Sequence, residues 1–407
     1  MYLVNPSGKV KPVEKEDLIK SLLNDGGFRE ATDEEINDFR AKQIESSLKS
    51  DYKEETPIEK PTSDVYLATV ATSPDGYGQS SKILLDSLQK AGLNISLKHQ
   101  NQNVGLLYSY PYRLETMKTS IRLIYTMFES TKIPADWVKP LKLADKVFVP
   151  SKFCQEAFKS RGIESEVIPL GYDDESFTYQ AKPLDTDGTF TFLHYNAFNT
   201  RKGWDIVFNA FTEEFKDTDN VKLIMKTVKM DLPFPILKSQ YPNIEVIKQD
   251  YNKKKLCELL QQSDCFVFPS RGEGFGLPPL EALATGTPVI IPNGSGMAEY
   301  FNPDYFYEVK IEKMMPAMYQ KFTSTDTGEM IEPSKDDLKK QMRYIYEHRE
   351  LAYRKARVGA TWVKENYSMK LSSNKLKLAI EPFINLKVEV ATTSKQIVGN
   401  ILKIEEI

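Results

Sequence analysis

The stretch "SRGEGFGLPPLEALATGTPVI" (residues 270–290) holds two acids, Glu273 and Glu281, around three glycines, Gly272, Gly274 and Gly276, and the pair Pro278-Pro279. Proline suits the first helical turn, so a helix should begin at the pair, directly after a glycine-rich loop. A helix N-terminus presents unpaired N–H groups and the positive end of a dipole to an anion, and glycines let the backbone approach a phosphate closely. Glu281, expected in that first turn, can accept hydrogen bonds from the two hydroxyls of a ribose, or serve only to stabilise the helix start. The second role leaves the glycines and Glu273 without a reason, so the stretch points to nucleotide binding.

Two other places carry groups suited to the same chemistry. In "TSPDGYGQSSKILLDSLQK", Gly76 and Gly78 stand between a strand and a helix, where backbone N–H groups can meet a diphosphate or a sugar. The segment "YTMFESTKIPADW" ends a strand near Glu129, a carboxylate able to orient a hydroxyl, take its proton, or simply cap a loop. The three histidines, His99, His194 and His348, form no ligand cluster. Cys154, Cys257 and Cys265 sit in apolar patterns without metal-ligand spacing and are expected as reduced, buried thiols. No Asp/Asn-rich cluster suited to magnesium stands out, so neither a metal nor a resident cofactor is expected.

These residues need a scaffold. A chain of 407 residues, 41% hydrophobic and 27% charged, is long enough for two or three domains. Its net charge of −3 supplies no global attraction to nucleic acid or to an anionic membrane, so a nucleic-acid partner would need a local basic patch. Neither a signal peptide nor a run near the roughly 18 apolar residues of a membrane span is present, and a cytoplasmic location is expected. In residues 1–60, Leu18, Ile19, Leu22 and Leu23, then Ile36, Phe39, Ile44 and Leu48, recur at helical spacing; a helical hairpin broken at Gly26-Gly27, followed by a charged linker, is predicted. From Val65, apolar strands such as "VYLATVA", "IRLIYTMF" and "KVFVPS" alternate with amphipathic helices, and a second such series runs through "FTFLHY", "VKLIMK", "IEVIK", "DCFVFPS" and "PVIIP". The pattern predicts α/β architecture: doubly wound, Rossmann-like domains at 64–172 and 173–365 facing a cleft, then a helix and tail over 366–407. Ligands of such sheets bind outside the carboxyl ends of the strands.

The spacing Glu273-x7-Glu281, filled by "GEGFGLPPLEALATGTPVI", resembles the donor-binding signature of glycosyltransferase family 4 and its relatives, retaining enzymes of the GT-B fold that use sugar-nucleotide donors. The resemblance covers about residues 64–382. It implies that Glu281 binds the nucleotide ribose and Glu273 lies by the donor sugar, with backbone at Gly274, Phe275, Gly276 and Leu277 meeting sugar hydroxyls or diphosphate. In "FTFLHYNAFNTRKGWDIVFNAF" (190–211) it implies that Lys202 stabilises the charge that develops as a nucleoside diphosphate departs. The family usually has an arginine six residues before that lysine; this chain has Asn196, and Arg201 or Lys226 could substitute. Glu129 stands where many relatives carry a histidine, and the last helix is expected to return to the N-terminal domain.

The expected activity is transfer of a sugar from a nucleotide sugar to a hydroxyl acceptor with retention of anomeric configuration, without metal. A nucleotide-sugar epimerase on the same scaffold and a non-catalytic nucleotide- or carbohydrate-binding subunit are the alternatives; a phosphorylase lacks its cofactor-lysine motif here. Glycan, protein, lipid, small metabolite and modified base all stay open as acceptors, and residues 1–60 are either a recruiting element or a packing appendage.

Overall fold

The structure, a computed structural model, describes residues 1–7, 9–13, 23–24, 28–36, 39, 63–69, 76–183, 188–216, 218–228, 241–317, 319 and 326–385. The chain divides into two compact units, Met1–Glu59 and Lys60–Ile407.

The first unit carries strands that the apolar spacing of residues 1–60 did not predict. Strands β1 (Tyr2–Val4), β2 (Val10–Pro12) and β3 (Arg29–Glu30) form an antiparallel sheet in the order β2-β1-β3. Asn5 explains the first turn, since its Oδ1 accepts from the backbone N–H of Ser7 (3.1 Å) and Lys9 (2.8 Å) and reverses the chain without helical bonds. Leu3 and Val4 are buried. Helical turns do occur at 23–24 and 33–36, whereas Leu18, Ile19, Leu22, Gly26-Gly27, Ile44 and Leu48 lie outside the described residues.

The second unit contains two six-stranded parallel sheets. The first joins β4 (Val65–Thr69), β5 (Ile95–Ser96), β6 (Val104–Tyr108), β7 (Ile121–Tyr125), β8 (Lys146–Val149) and β9 (Glu166–Val167) in the order β5-β4-β6-β7-β8-β9. The second joins β10 (Phe190–Tyr195), β11 (Val221–Thr227), β12 (Ile244–Lys248), β13 (Cys265–Val267), β14 (Val289–Pro292) and β15 (Tyr307–Val309) in the order β12-β11-β10-β13-β14-β15. Helices cover both faces, which is why these strands are continuous apolar runs rather than alternating ones. Along β10, Phe190 and Phe192 enter one core while Leu193 and Tyr195 enter the other. Strand order reverses between β4 and β6, and again between β10 and β13, so each sheet has a crevice at its carboxyl edge.

Helices α1 (Gly76–Lys90), α2 (Val138–Leu141) and α3 (Lys152–Lys159) belong to the first sheet; α4 (Trp204–Glu214), α5 (Lys253–Gln262) and α6 (Leu277–Ala284) to the second. An antiparallel hairpin, β16 (Ile311–Pro316) and β17 (Glu329–Pro333), precedes α7 (Lys335–Glu347), α8 (Arg349–Tyr367) and α9 (Met369–Ile384). Helix α9 packs on α1, and Ser372 Oγ donates to the Pro169 carbonyl at 2.7 Å. The three cysteines are buried and free. No described helix is long and apolar enough to cross a membrane.

Candidate active site at the facing sheet edges

The loops after β10 and β13 meet at the switch point of the second sheet. Asn199 accepts from the Lys202 N–H (3.2 Å) to form a short turn, and Gly203 then takes a left-handed conformation, φ 71°. A Cβ on Gly203 would stand 2.1 Å from the Pro269 carbonyl oxygen, so only glycine lets the loops close on one another. Lys202 Nζ thereby reaches both oxygens of Glu273, at 2.7 and 2.9 Å, and Ser270 Oγ donates to Oε1 at 2.7 Å.

Arg201 lies beside this pair. Its guanidinium donates to the Gly272 carbonyl and stands 3.5 Å from both Glu273 Oε2 and Glu129 Oε1, the latter from the loop after β7. One arginine thus connects a carboxylate of each sheet. Burial opposes ionisation of Glu273, but Lys202 and Arg201 outweigh it and hold its carboxyl below the usual range. Burial, opposed chiefly by Glu273, lowers the Lys202 ammonium from its ordinary value. At neutral pH the pair is ionic, because two cations, Lys202 and Arg201, face that one buried carboxylate.

Arg271, which sequence reasoning passed over, clamps the same loop. It is buried and makes paired hydrogen bonds to Asp205 (2.8 and 2.7 Å) and Glu332 (2.6 and 2.9 Å), with a further bond to the Thr200 carbonyl. Its acids come from α4 and β17, remote in sequence, so no local spacing signals the clamp. Ser270 and Tyr195 were missed too; each stands at or just past the carboxyl end of a strand, the position that could have flagged them.

Gly272 and Gly274 stand against the loop after β7. A Cβ on Gly272 would sit 2.2 Å from the Glu129 carbonyl oxygen, and one on Gly274 would sit 2.7 Å from Met127 Cβ. Both give room to the opposite sheet's loop. Ser151 Oγ and Thr131 N–H add bonds across the cleft, to the carbonyls of Gly274 (2.7 Å) and Glu329 (3.0 Å). Gly276, φ 89°, is the left-handed residue before α6, where Leu277 is the first helical residue; Phe275 is buried in the core.

Glu281 is therefore the fifth residue of α6, in its second turn rather than its first. Pro278 and Pro279 occupy the first turn behind Leu277, which moves the acid one step along. Tyr195 donates to Glu281 Oε2 at 2.7 Å, and Oε1 has no partner among the described residues. Burial raises the Glu281 carboxyl above its ordinary value, against the Tyr195 bond and the charge of Lys253.

Lys226 pairs in register with Tyr195 and is buried, 5.3 Å from the Tyr251 ring centre. It has no ion-pair partner among the described residues, and burial lowers its ammonium from the ordinary value, against the charge of Asp250. Asn196 gives its N–H to the Lys226 carbonyl (3.1 Å), while its Nδ2 is buried without a partner. His194 is fully buried with Nδ1 against the Val267 carbonyl (2.9 Å); burial pushes it down to about 4, so it is neutral core. Glu129, Arg201, Lys202 and Glu273 thus form one cluster, with Glu281, Tyr195 and Lys226 along the same sheet edge. Gly76 and Gly78 fall in the first turn of α1; the loop before them lies outside the described residues.

Two Rossmann-like domains with facing carboxyl edges and polar side chains gathered at a switch point define the GT-B fold. Residues 176–358 match the family described as glycosyl transferases group 1. The chain is similar to the uncharacterized glycosyltransferase MJ1178 of Methanocaldococcus jannaschii, 31% identical over 164 residues that make up 38% of this chain and 42% of that protein. It is also similar to the alpha-monoglucosyldiacylglycerol synthase of Streptococcus pneumoniae, 29% identical over 196 residues, 43% of this chain and 41% of that one. The chain spans less than half the length of these two relatives and 54% of a relative from Sulfolobus islandicus filamentous virus. In fold, sucrose-phosphate synthase from Thermosynechococcus elongatus matches over 78% of this chain and 98% of that one, with TM-score 0.60 and 15% identity. Anabaena HepE, solved with UDP and glucose, matches over 76% and 83%, with TM-score 0.54 and 14% identity.

Proposed function

We propose that the chain is a retaining glycosyltransferase that moves a sugar from a nucleoside diphosphate sugar to a hydroxyl acceptor. The Lys202–Glu273 pair carries this reading: a buried cation and a buried acid share the carboxyl-edge crevice of one sheet, opposite Glu129 of the other. A donor diphosphate is anionic, and Lys202 and Lys226 are the cations that meet it as the bond to the sugar breaks. Glu281, with one oxygen uncommitted, accepts from the ribose hydroxyls, and Glu273, relieved of Lys202 as that cation turns to phosphate, accepts from sugar hydroxyls. Glu129 orients the acceptor hydroxyl. The acceptor oxygen bonds to the anomeric carbon on the face from which the phosphate oxygen leaves, and that departing oxygen takes the acceptor's proton. Positioning and charge stabilisation supply the catalysis.

We propose that the reaction runs without a resident metal. HepE, solved with UDP and glucose, makes uridine the first nucleoside to test. Calorimetric titration with UDP and a panel of nucleotide sugars, followed by detection of released nucleoside diphosphate, tests the reading. Saturable binding with slow donor hydrolysis is expected, and absence of binding across the panel overturns it.

A further inference from the structure

Strand β17 pairs with β16 along one edge. Alternate residues of a strand direct their N–H and C=O groups to the same side, and Glu329 and Ile331 serve the other edge. The Glu329 N–H donates to Thr131 Oγ1 at 2.8 Å, and the Glu329 carbonyl accepts from the Thr131 N–H at 3.0 Å. Two residues on, the Ile331 N–H donates to the Arg271 carbonyl at 3.1 Å. Thr131 follows Glu129 by two residues, and Arg271 precedes Glu273 by two. One short strand therefore holds the acid-bearing loop of each sheet.

Both ends are secured further. Towards the first sheet, Ser130 Oγ donates to the Thr327 carbonyl at 2.6 Å, and Arg161 joins the carbonyls of Ile133 (3.2 Å) and Asp326 (2.7 Å). Gly328, φ 73°, brings the hairpin against Thr131, since a Cβ there would stand 2.3 Å from Thr131 Oγ1 and 2.8 Å from the Lys132 nitrogen. Towards the second sheet, Glu332 holds the Arg271 guanidinium by two hydrogen bonds, 2.6 and 2.9 Å. Extended backbone from Glu329 to Ile331 spans about 7 Å, a length that strand geometry fixes. At the resulting separation of the loops, Arg201 stands 3.5 Å from Glu129 and 3.5 Å from Glu273.

We propose that β17 is a spacer between the two loops, and, resting on the transferase reading, that Thr131 is a positioning residue through which the strand places Glu129 opposite Glu273 for turnover. Thr131 touches neither donor nor acceptor in this arrangement. Its hydroxyl holds the Glu329 end of the strand, and the Ile331 end holds the loop of Glu273. Loss of the hydroxyl loosens one loop directly and the other through β17.

The test compares the full chain with Thr131→Val, which keeps the side-chain shape at a half-buried position and removes the hydroxyl. Amide hydrogen exchange is read in peptides covering 127–133 and 268–277, beside UDP binding by calorimetry and steady-state hydrolysis of UDP-glucose. Exchange should quicken in both segments and kcat should fall about tenfold or more, with UDP affinity unchanged. Thr131→Ser, which keeps the hydroxyl, should restore exchange and kcat, and Gly328→Ala, which presses a methyl on that hydroxyl from the hairpin side, should reproduce the Thr131→Val pattern. Faster exchange confined to 127–133, a wild-type kcat in Thr131→Val, or no rescue by Thr131→Ser overturns the proposal. If the wild type neither binds UDP nor hydrolyses UDP-glucose, the donor reading falls, and exchange in the two segments decides the spacer by itself.

Discussion

Lys202 Nζ holds both oxygens of Glu273, at 2.7 and 2.9 Å, across the crevice between β10 and β13. The residues are 71 apart in sequence, and each is the other's main electrostatic support.

That mutual support separates stability from turnover. Lys202→Met should cost about 3–5 kcal/mol by leaving Glu273 buried with weaker compensation. The double variant Lys202→Met/Glu273→Gln should recover most of the loss in thermal melts. Donor hydrolysis should fall about 100-fold or more in both. Full turnover in Lys202→Met would remove the lysine from the reaction.

Glu281 carries a pH signature. Because burial raises its folded value, its contribution to stability is fully present below the usual carboxylate range and is lost as pH rises through the raised value. Glutamine mimics the protonated form and can still accept from Tyr195. Glu281→Gln should therefore melt with the wild type in acid and above it at pH 7, while UDP affinity drops about tenfold, the worth of a charged hydrogen bond. A melting difference that grows towards acid would contradict the assignment.

Gly272 tests the closeness of the two sheets. Gly272→Ala puts a methyl 2.2 Å from the Glu129 carbonyl oxygen, whereas Gly188→Ala meets nothing within 4 Å. The first should destabilise by about 1–3 kcal/mol and lower kcat, and the second should be near neutral. Equal melting curves for the two would mean that the loops do not press together in solution.

Arg271 is a positioning residue, acting on Glu273 only through the loop they share. Arg271→Lys cannot reproduce two paired carboxylate contacts and should cost about 3 kcal/mol. Its kcat should fall with little change in UDP affinity, because Glu281 stands on a separate helix. A purely structural role would leave kcat per folded molecule intact.

Much of the scaffold was legible because its signals are local. Apolar runs gave the strands of both sheets, and the helices Lys335–Glu347 and Met369–Ile384 begin at serines, a local start signal. Ser334 and Ser368 each accept a backbone N–H at the start of their helix. The first unit was harder: a short hairpin turning on Asn5 leaves only three-residue strands, too brief for an alternation signal, beside apolar spacing that reads as helix.

Within the site, sequence by itself determined which residue types gather in the loops after β10 and β13, and that an acid follows the glycine turn into α6. Only tertiary structure decided which of them touch. Arg201 proved to bridge Glu129 and Glu273, Arg271 to clamp the loop from beneath, and Gly272 and Gly274 to make room for the opposite sheet. Glycine permits any close approach and an arginine fork suits any carboxylate, so their partners depend on which strand ends the fold brings together. That arrangement is set by burial of the hydrophobic cores on the faces of both sheets.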